Sequence, residues 1–162
     1  MVVKSAGSSS YKFAVMEPDV ERNSGQVKRL TFRIKEASMN WLAVGVCHKN
    51  LVQSKNFSFS FNVLGHGAYM VSSNGGSWSD TKSEANNAVK VPILLIQSFK
   101  FGKGDIIQAE LNLQSKKIKF KKRGTQDQYE LDVQLKDGDP LSPCVLFYYP
   151  NDEVEYINDF KE

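Results

Sequence analysis

The run at residues 101–124, FGKGDIIQAELNLQSKKIKFKKRG, constrains the fold of this chain more than any other stretch. Ile107, Ala109, Leu111 and Leu113 alternate with Gln108, Glu110 and Asn112, and Ile118 and Phe120 then alternate with Lys117, Lys119 and Lys121. A period of two places apolar side chains on one face of a sheet and polar ones on the other. Gln114-Ser115-Lys116 supplies a turn and Gly124 closes the second strand, so the run predicts a β-hairpin. Asp105, between Gly104 and Ile106, is expected to hold turn amides with its carboxylate rather than to act as a catalytic acid. Such a hairpin is scaffold, and the chain built on it points to binding rather than to chemistry.

The same alternation recurs along the chain. Leu30, Phe32 and Ile34 alternate with Arg29, Thr31, Arg33 and Lys35; Phe57, Phe59 and Phe61 with Ser58, Ser60 and Asn62; Tyr129, Leu131, Val133 and Leu135 with Glu130, Asp132 and Gln134. Residues 41–47 are apolar throughout, as in a central strand covered on both faces. Residues 144–148 and 154–157 would close the sheets around the turn Pro150-Asn151-Asp152. Apolar residues nowhere repeat at three and four over two turns, and residues 84–91 are the best place for a single helical turn. About ten short strands separated by turn signals predict an all-β, two-sheet antiparallel β-sandwich. Its core is expected to hold Leu30, Phe32, Val44, Val46, Phe59, Ile107, Leu111, Phe120 and Val145.

With 162 residues and 41% hydrophobic content the chain can build one core. The expected organisation is a tail at 1–10, one domain at 11–158 and a second tail at 159–162. No apolar run reaches the roughly 18 residues that span a bilayer. The longest, residues 89–96, is broken by Lys90 and Pro92, and the first residues lack a secretory signal. These features give a soluble, intracellular, cytoplasmic protein as the expectation. Cys47 and Cys144 belong to no C-x-x-C pair and lie in apolar strand patterns, which reads as two buried, reduced thiols.

Several motifs carry a family resemblance. Gly104-Asp105-Ile106-Ile107, Lys117-Ile118-Lys119-Phe120 and Gly124 resemble the core hairpin of SPRY domains. Trp41-Leu42-Ala43-Val44-Gly45-Val46 is similar to that family's early Gly-Val strand. His66-Gly67-Ala68-Tyr69 and Asn74-Gly75-Gly76-Ser77-Trp78 resemble the strand and glycine loop that follow it, and Leu141-Ser142-Pro143-Cys144-Val145-Leu146 the late Pro-containing strand. The resemblance covers residues 27–157. It departs at Arg123, where the family often has Asn, and in the long insert at 78–99. It implies a concanavalin-like sandwich that binds an extended segment of a partner protein through loops at one end. Carried over by position, His48, Lys49 and Asn50 border that site, and Tyr69, Ser73, Asn74 and Trp78 form its next wall. The implied role is a non-catalytic interaction module within a scaffold or ubiquitin-ligase-type assembly.

Other chemistry is weaker in the sequence. His48 and Cys47 are neighbours in a strand and point to opposite faces, so they do not pair. His48 and His66 sit in no site motif, and no phosphate loop, dinucleotide fingerprint or nucleophile elbow occurs. No cofactor and no metal are expected. Lys117, Lys119 and Lys121 read as a solvated sheet face; their alternative reading is a nucleic-acid contact, with no aromatic residue interleaved for base stacking. Trp78 has two readings, an anchor packed on the sandwich and an exposed contact in the polar loop at 72–87. A glycan-binding, lectin-like sandwich and a structural subunit of a large assembly are the alternatives to the interaction module, because one architecture serves many functions.

Overall fold

The computed structural model describes residues 1–5, 7, 10–20, 27–39, 41–60, 63–86 and 98–158. Among them the chain forms β1 (Val2–Lys4), β2 (Lys12–Val15), β3 (Lys28–Glu36), β4 (Leu42–His48), α1 (Lys49–Ser54), β5 (Ala68–Ser72), β6 (Ser77–Ser79), β7 (Ile106–Asn112), β8 (Lys117–Lys122), β9 (Gln128–Asp132), β10 (Leu141–Phe147) and β11 (Glu153–Asn158). A 3-10 turn at Ser83–Ala85 falls where a helical turn was expected; residues 87–91 of that expectation lie outside the described residues. The strands make two antiparallel sheets, one in the order β1-β11-β3-β7-β8-β9 and one in the order β2-β10-β4-β5-β6. The architecture is the two-sheet sandwich that the repeated period of two demands.

The hairpin at 101–124 becomes β7 and β8, with Ala109 opposite Phe120 and Leu111 opposite Ile118. Those side chains are buried between the sheets with Phe32, Val44, Val46, Val71 and Val145, and Phe59 is buried in a second cluster. Every residue expected in the core is buried, each worth about 1.5–3 kcal/mol relative to exposure. Asp105 does what its position suggested: its Oδ2 accepts from the Gly102 N–H at 2.8 Å.

The five-stranded sheet is covered on both faces, and β4 and β10 are buried along their whole lengths. Val44 and Val46 face the other sheet, while Ala43 and Cys47 face outward into a cluster with Phe13, Val52, Phe59, Met70, Trp78, Cys144 and Leu146. Cys47 and Cys144 are free, buried thiols; burial, then the neighbouring Cys47 thiol, pushes Cys144 well above its ordinary range. Gly45 is required where β4 passes β5, because a Cβ there would lie 2.1 Å from the Tyr69 carbonyl oxygen.

The roof over this outer face differs from the strand expected at 57–61. The chain leaves β4 as α1, turns at 55–57 with Asn56 and Phe57 at φ 52° and 57°, and meets β2 at the isolated Lys12–Ser58 bridge rather than as a strand; Phe61 lies outside the described residues. The alternating phenylalanines serve packing instead, with Phe59 buried and Phe57 packed against the same cluster. α1 is short, and its first amides are held from a distant loop: Asp139 accepts from Asn50 N at 2.8 Å and Leu51 N at 3.0 Å, which satisfies donors a helix start leaves open.

Three connections join the two sheets at one end, and their described residues Ser5, Ser38 and Asp152 are neighbours. Residues 5–11 lead from β1 to β2, 37–41 from β3 to β4, and 148–152 from β10 to β11. They are neighbours because β11 lies between β1 and β3 in one sheet, as β10 lies between β2 and β4 in the other. The first begins in β1, which pairs with β11, so Val2–Lys4 are sheet rather than the tail expected there. No helix among the described residues is long and apolar enough to cross a membrane.

Candidate functional site

The residues singled out in the sequence do not form one surface. β4 runs from Leu42, opposite Phe147, to His48, opposite Leu141, a length of roughly 20 Å at 3.3 Å per residue. His48, Lys49 and Asn50 stand at the helix end of the sheet. Ser73 and Asn74 stand at the crossover end, where Leu42 N donates to Ser73 Oγ at 3.1 Å. The single site implied by the resemblance is thus divided between opposite ends, because antiparallel β4 and β5 place the segment after one and the segment after the other far apart.

The helix end is occupied by internal bonds. His48 is fully buried and its Nε2 meets the Gln134 carbonyl at 2.9 Å; burial, partly offset by that bond, lowers its pKa below the usual value. Tyr69 is also buried, and its hydroxyl accepts from Gln134 N at 3.0 Å. Lys49 pairs with Glu17 and Asp19, and these bonds, Glu17 first, raise its pKa. Asn50 Nδ2 donates to the Gly138 carbonyl at 3.0 Å. His66 is buried too, 3% exposed, and burial lowers it to about 4. Its Nδ1 accepts from Ala68 N at 3.1 Å. Nearby, burial pushes the Asp80 carboxyl up, but bonds from Lys136 and then from Gly67 N outweigh it and hold it below the usual range.

Trp78 is 6% exposed, between Phe59 at 5.4 Å and Trp41 at 6.5 Å between ring centroids. It is the anchor of its two readings: β6 places it opposite Met70, on the outer face that the roof covers. The polar loop around it gave no sign of which way its ring turns.

The crossover end carries a group of aromatic residues that the sequence did not bring together. Phe147 pairs with Lys12 on one side and Leu42 on the other. One step beyond, Tyr11, Tyr148 and Trp41 therefore stand in a row across β2, β10 and β4, on the outer face. The ring centroids of Tyr11 and Tyr148 are 4.5 Å apart, those of Tyr11 and Trp41 4.9 Å, and those of Tyr148 and Tyr149 4.8 Å. All four are half-buried. Burial, then the charges that Tyr148 and Tyr149 would carry, raises the Tyr11 pKa. Met39 is 63% exposed in the connection before Trp41, and Asn74 is exposed beyond the row. The Asn74 Oδ1 accepts from Ser72 Oγ at 2.7 Å and Gly76 N at 3.3 Å, which fixes the glycine loop. Tyr11, Trp41 and Tyr148 each flank a different strand, so only the strand order β2-β10-β4 makes them neighbours.

The lysines of β8 face carboxylates. Lys117 pairs with Glu130 at 2.5 Å, Lys121 with Glu110 at 2.9 Å and Lys122 with Asp105 at 2.9 Å. Lys119 stands opposite Glu110 on one side and Glu130 on the other. This face is charge-matched across the sheet, as a solvated β surface is.

No protein-family model and no curated protein matches the chain by sequence. Its likeness lies in structure. The SPRY domain of human HERC1 superposes with a TM-score of 0.65 at 18% identity, over 96% of this chain and 87% of that one. A second human SPRY domain superposes with a TM-score of 0.63 at 15% identity, over 97% and 90%. The chain has the fold of SPRY domains.

Proposed function

We propose that this chain is a non-catalytic protein-interaction module that holds an extended segment of a partner protein against the crossover end of its five-stranded sheet. The half-exposed row Tyr11–Tyr148–Trp41 carries the reading. Partly buried tyrosine and tryptophan side chains combine large apolar area with polar tips, the composition of interaction hot spots. Tyr149 and Met39 widen the row, and Ser73 and Asn74 border it. Three strands at about 4.8 Å spacing, with β5 as a fourth, make a track of roughly 14 Å, the length of four or five extended residues. The helix end supports the same choice, since Lys49 and Asn50 are engaged in bonds that shape α1 and its neighbouring loop. The titratable cluster of His66, Asp80 and Lys136 likewise serves a buried network. Two buried free thiols favour a reducing, intracellular setting. The structural likeness to SPRY domains agrees with this reading, and a scaffold or ubiquitin-ligase-type assembly is the setting we propose for the module.

Selection from a random twelve-residue peptide display library tests it. Peptides enriched on the unaltered chain should bind Trp41→Ala and Tyr149→Ala at least thirtyfold more weakly, about 2 kcal/mol for an aromatic hot spot. Asn50→Ala should bind them as the unaltered chain does. Undiminished binding to both aromatic variants would remove the row as the contact surface.

A further inference from the structure

The three connections at the crossover end meet at one residue, Asp152, the second through its side chain and the first through its backbone. Asp152 is fully buried. Its Oδ1 accepts from both Ser38 N and Ser38 Oγ, each at 2.7 Å, which ties the third connection to the second. Its backbone carbonyl accepts from Ser5 N at 2.8 Å, and Asn151 N donates to the Ser5 carbonyl at 3.1 Å, which ties the third to the first. Ser38 Oγ also approaches the Pro150 carbonyl at 3.4 Å. Among the described residues Oδ2 has no hydrogen-bond partner.

A buried carboxylate with one oxygen unpaired is costly, since a charge taken from water needs its hydrogen bonds. In return, a charged acceptor holds its donors more strongly than a neutral one. The ends of the three connections are the aromatic residues: Tyr11 closes the first, Trp41 the second, and Tyr148 opens the third. A tie among the connections sets the distances among those rings.

We propose that Asp152 is a positioning residue for the aromatic row, holding Ser5 of the first connection and Ser38 of the second against its own connection in the register that brings Tyr11, Trp41 and Tyr148 together. The proposal rests on the interaction surface described above. It adds that the surface is set by a carboxylate outside the row, in the connection that follows Tyr148 and Tyr149.

The test uses the full chain with ring-labelled tyrosine. Tyr11 ionisation, followed by NMR, reports on its burial and on the closeness of Tyr148 and Tyr149. Asp152→Ala should move it back toward the ordinary tyrosine value of about 10. Asp152→Asn keeps an acceptor for Ser38 and should retain at least half of the shift. Ser38→Ala deletes one of the two donors to Oδ1 and should lie between them, which keeps the test open if Asp152→Ala does not fold. Leu111→Ala, a core truncation in the other sheet, should lower the melting temperature and leave Tyr11 unchanged. Peptides selected on the unaltered chain should bind Asp152→Ala at least tenfold more weakly and Asp152→Asn within threefold. An unshifted Tyr11 in Asp152→Ala and Ser38→Ala, or an equal movement in Leu111→Ala, would overturn the proposal. If no peptide enriches on the unaltered chain, the interaction surface falls, and the Tyr11 titration still decides whether Asp152 sets the row.

Discussion

His66 shows how a polar side chain in this sandwich is used for packing. Its Nδ1 accepts a backbone hydrogen bond, so the ring must be neutral there, and burial lowers its pKa from the usual 6.5 to about 4. The folded state therefore resists the proton that the unfolded chain accepts. Stability is complete above about pH 6.5 and declines as the pH falls toward 4, by about 3 kcal/mol if the full shift is expressed. His48, also lowered by burial, adds in the same direction. Urea-unfolding midpoints between pH 7 and 4 check this, and His66→Phe should flatten most of the slope. Asp80, held below its usual range, acts only at lower pH and does not confuse the window. Trp78 makes the companion case: Trp78→Ala should cost about 3–5 kcal/mol in chemical denaturation, as a truncated core aromatic does. Its importance was legible in the sequence, as the one large aromatic in a polar loop. Its orientation was not, because a three-residue strand has too little pattern to say which face its centre occupies.

Elements with a sustained period were legible, and short ones held from afar were not. The β7–β8 hairpin follows directly from its alternation, and its lysines face solvent beside matching carboxylates. Exposed pairs of this kind contribute little each. Changing Lys117, Lys119 and Lys121 together to Gln should shift unfolding free energy by less than about 1.5 kcal/mol. Steep, salt-sensitive binding of RNA by the unaltered chain, lost in that variant, would contradict the charge-matched face. Gly45 lies at the opposite extreme: Gly45→Ala should destabilise by about 3 kcal/mol or prevent folding, since its methyl group would meet backbone rather than a movable side chain. α1 escaped the sequence because six residues cannot display a helical period, and its amides are satisfied by Asp139, far along the chain. The strand expected at 57–61 failed for a related reason. Alternating phenylalanines satisfy a roof over an apolar sheet face as well as they satisfy a strand.

At the scale of the whole molecule, strand order decides what surface the chain presents. The period of two predicts a sandwich but is silent on which strands are neighbours. The order β2-β10-β4 gathers Tyr11, Tyr148 and Trp41 from distant parts of the sequence, and the antiparallel pairing of β4 with β5 sends His48 and Asn74 to opposite ends. The SPRY resemblance supplied the idea of a loop-built binding end, while the packed connections determine which end has the exposed aromatic area. Chemical-shift mapping on the isotope-labelled full chain, titrated with a peptide enriched from the display library, tests this most directly. Shifts confined to Tyr11, Met39, Trp41, residues 73–76, Tyr148 and Tyr149 are the predicted result. Shifts centred instead on α1 and the loop at 136–140, or on the lysines of β8, would contradict it.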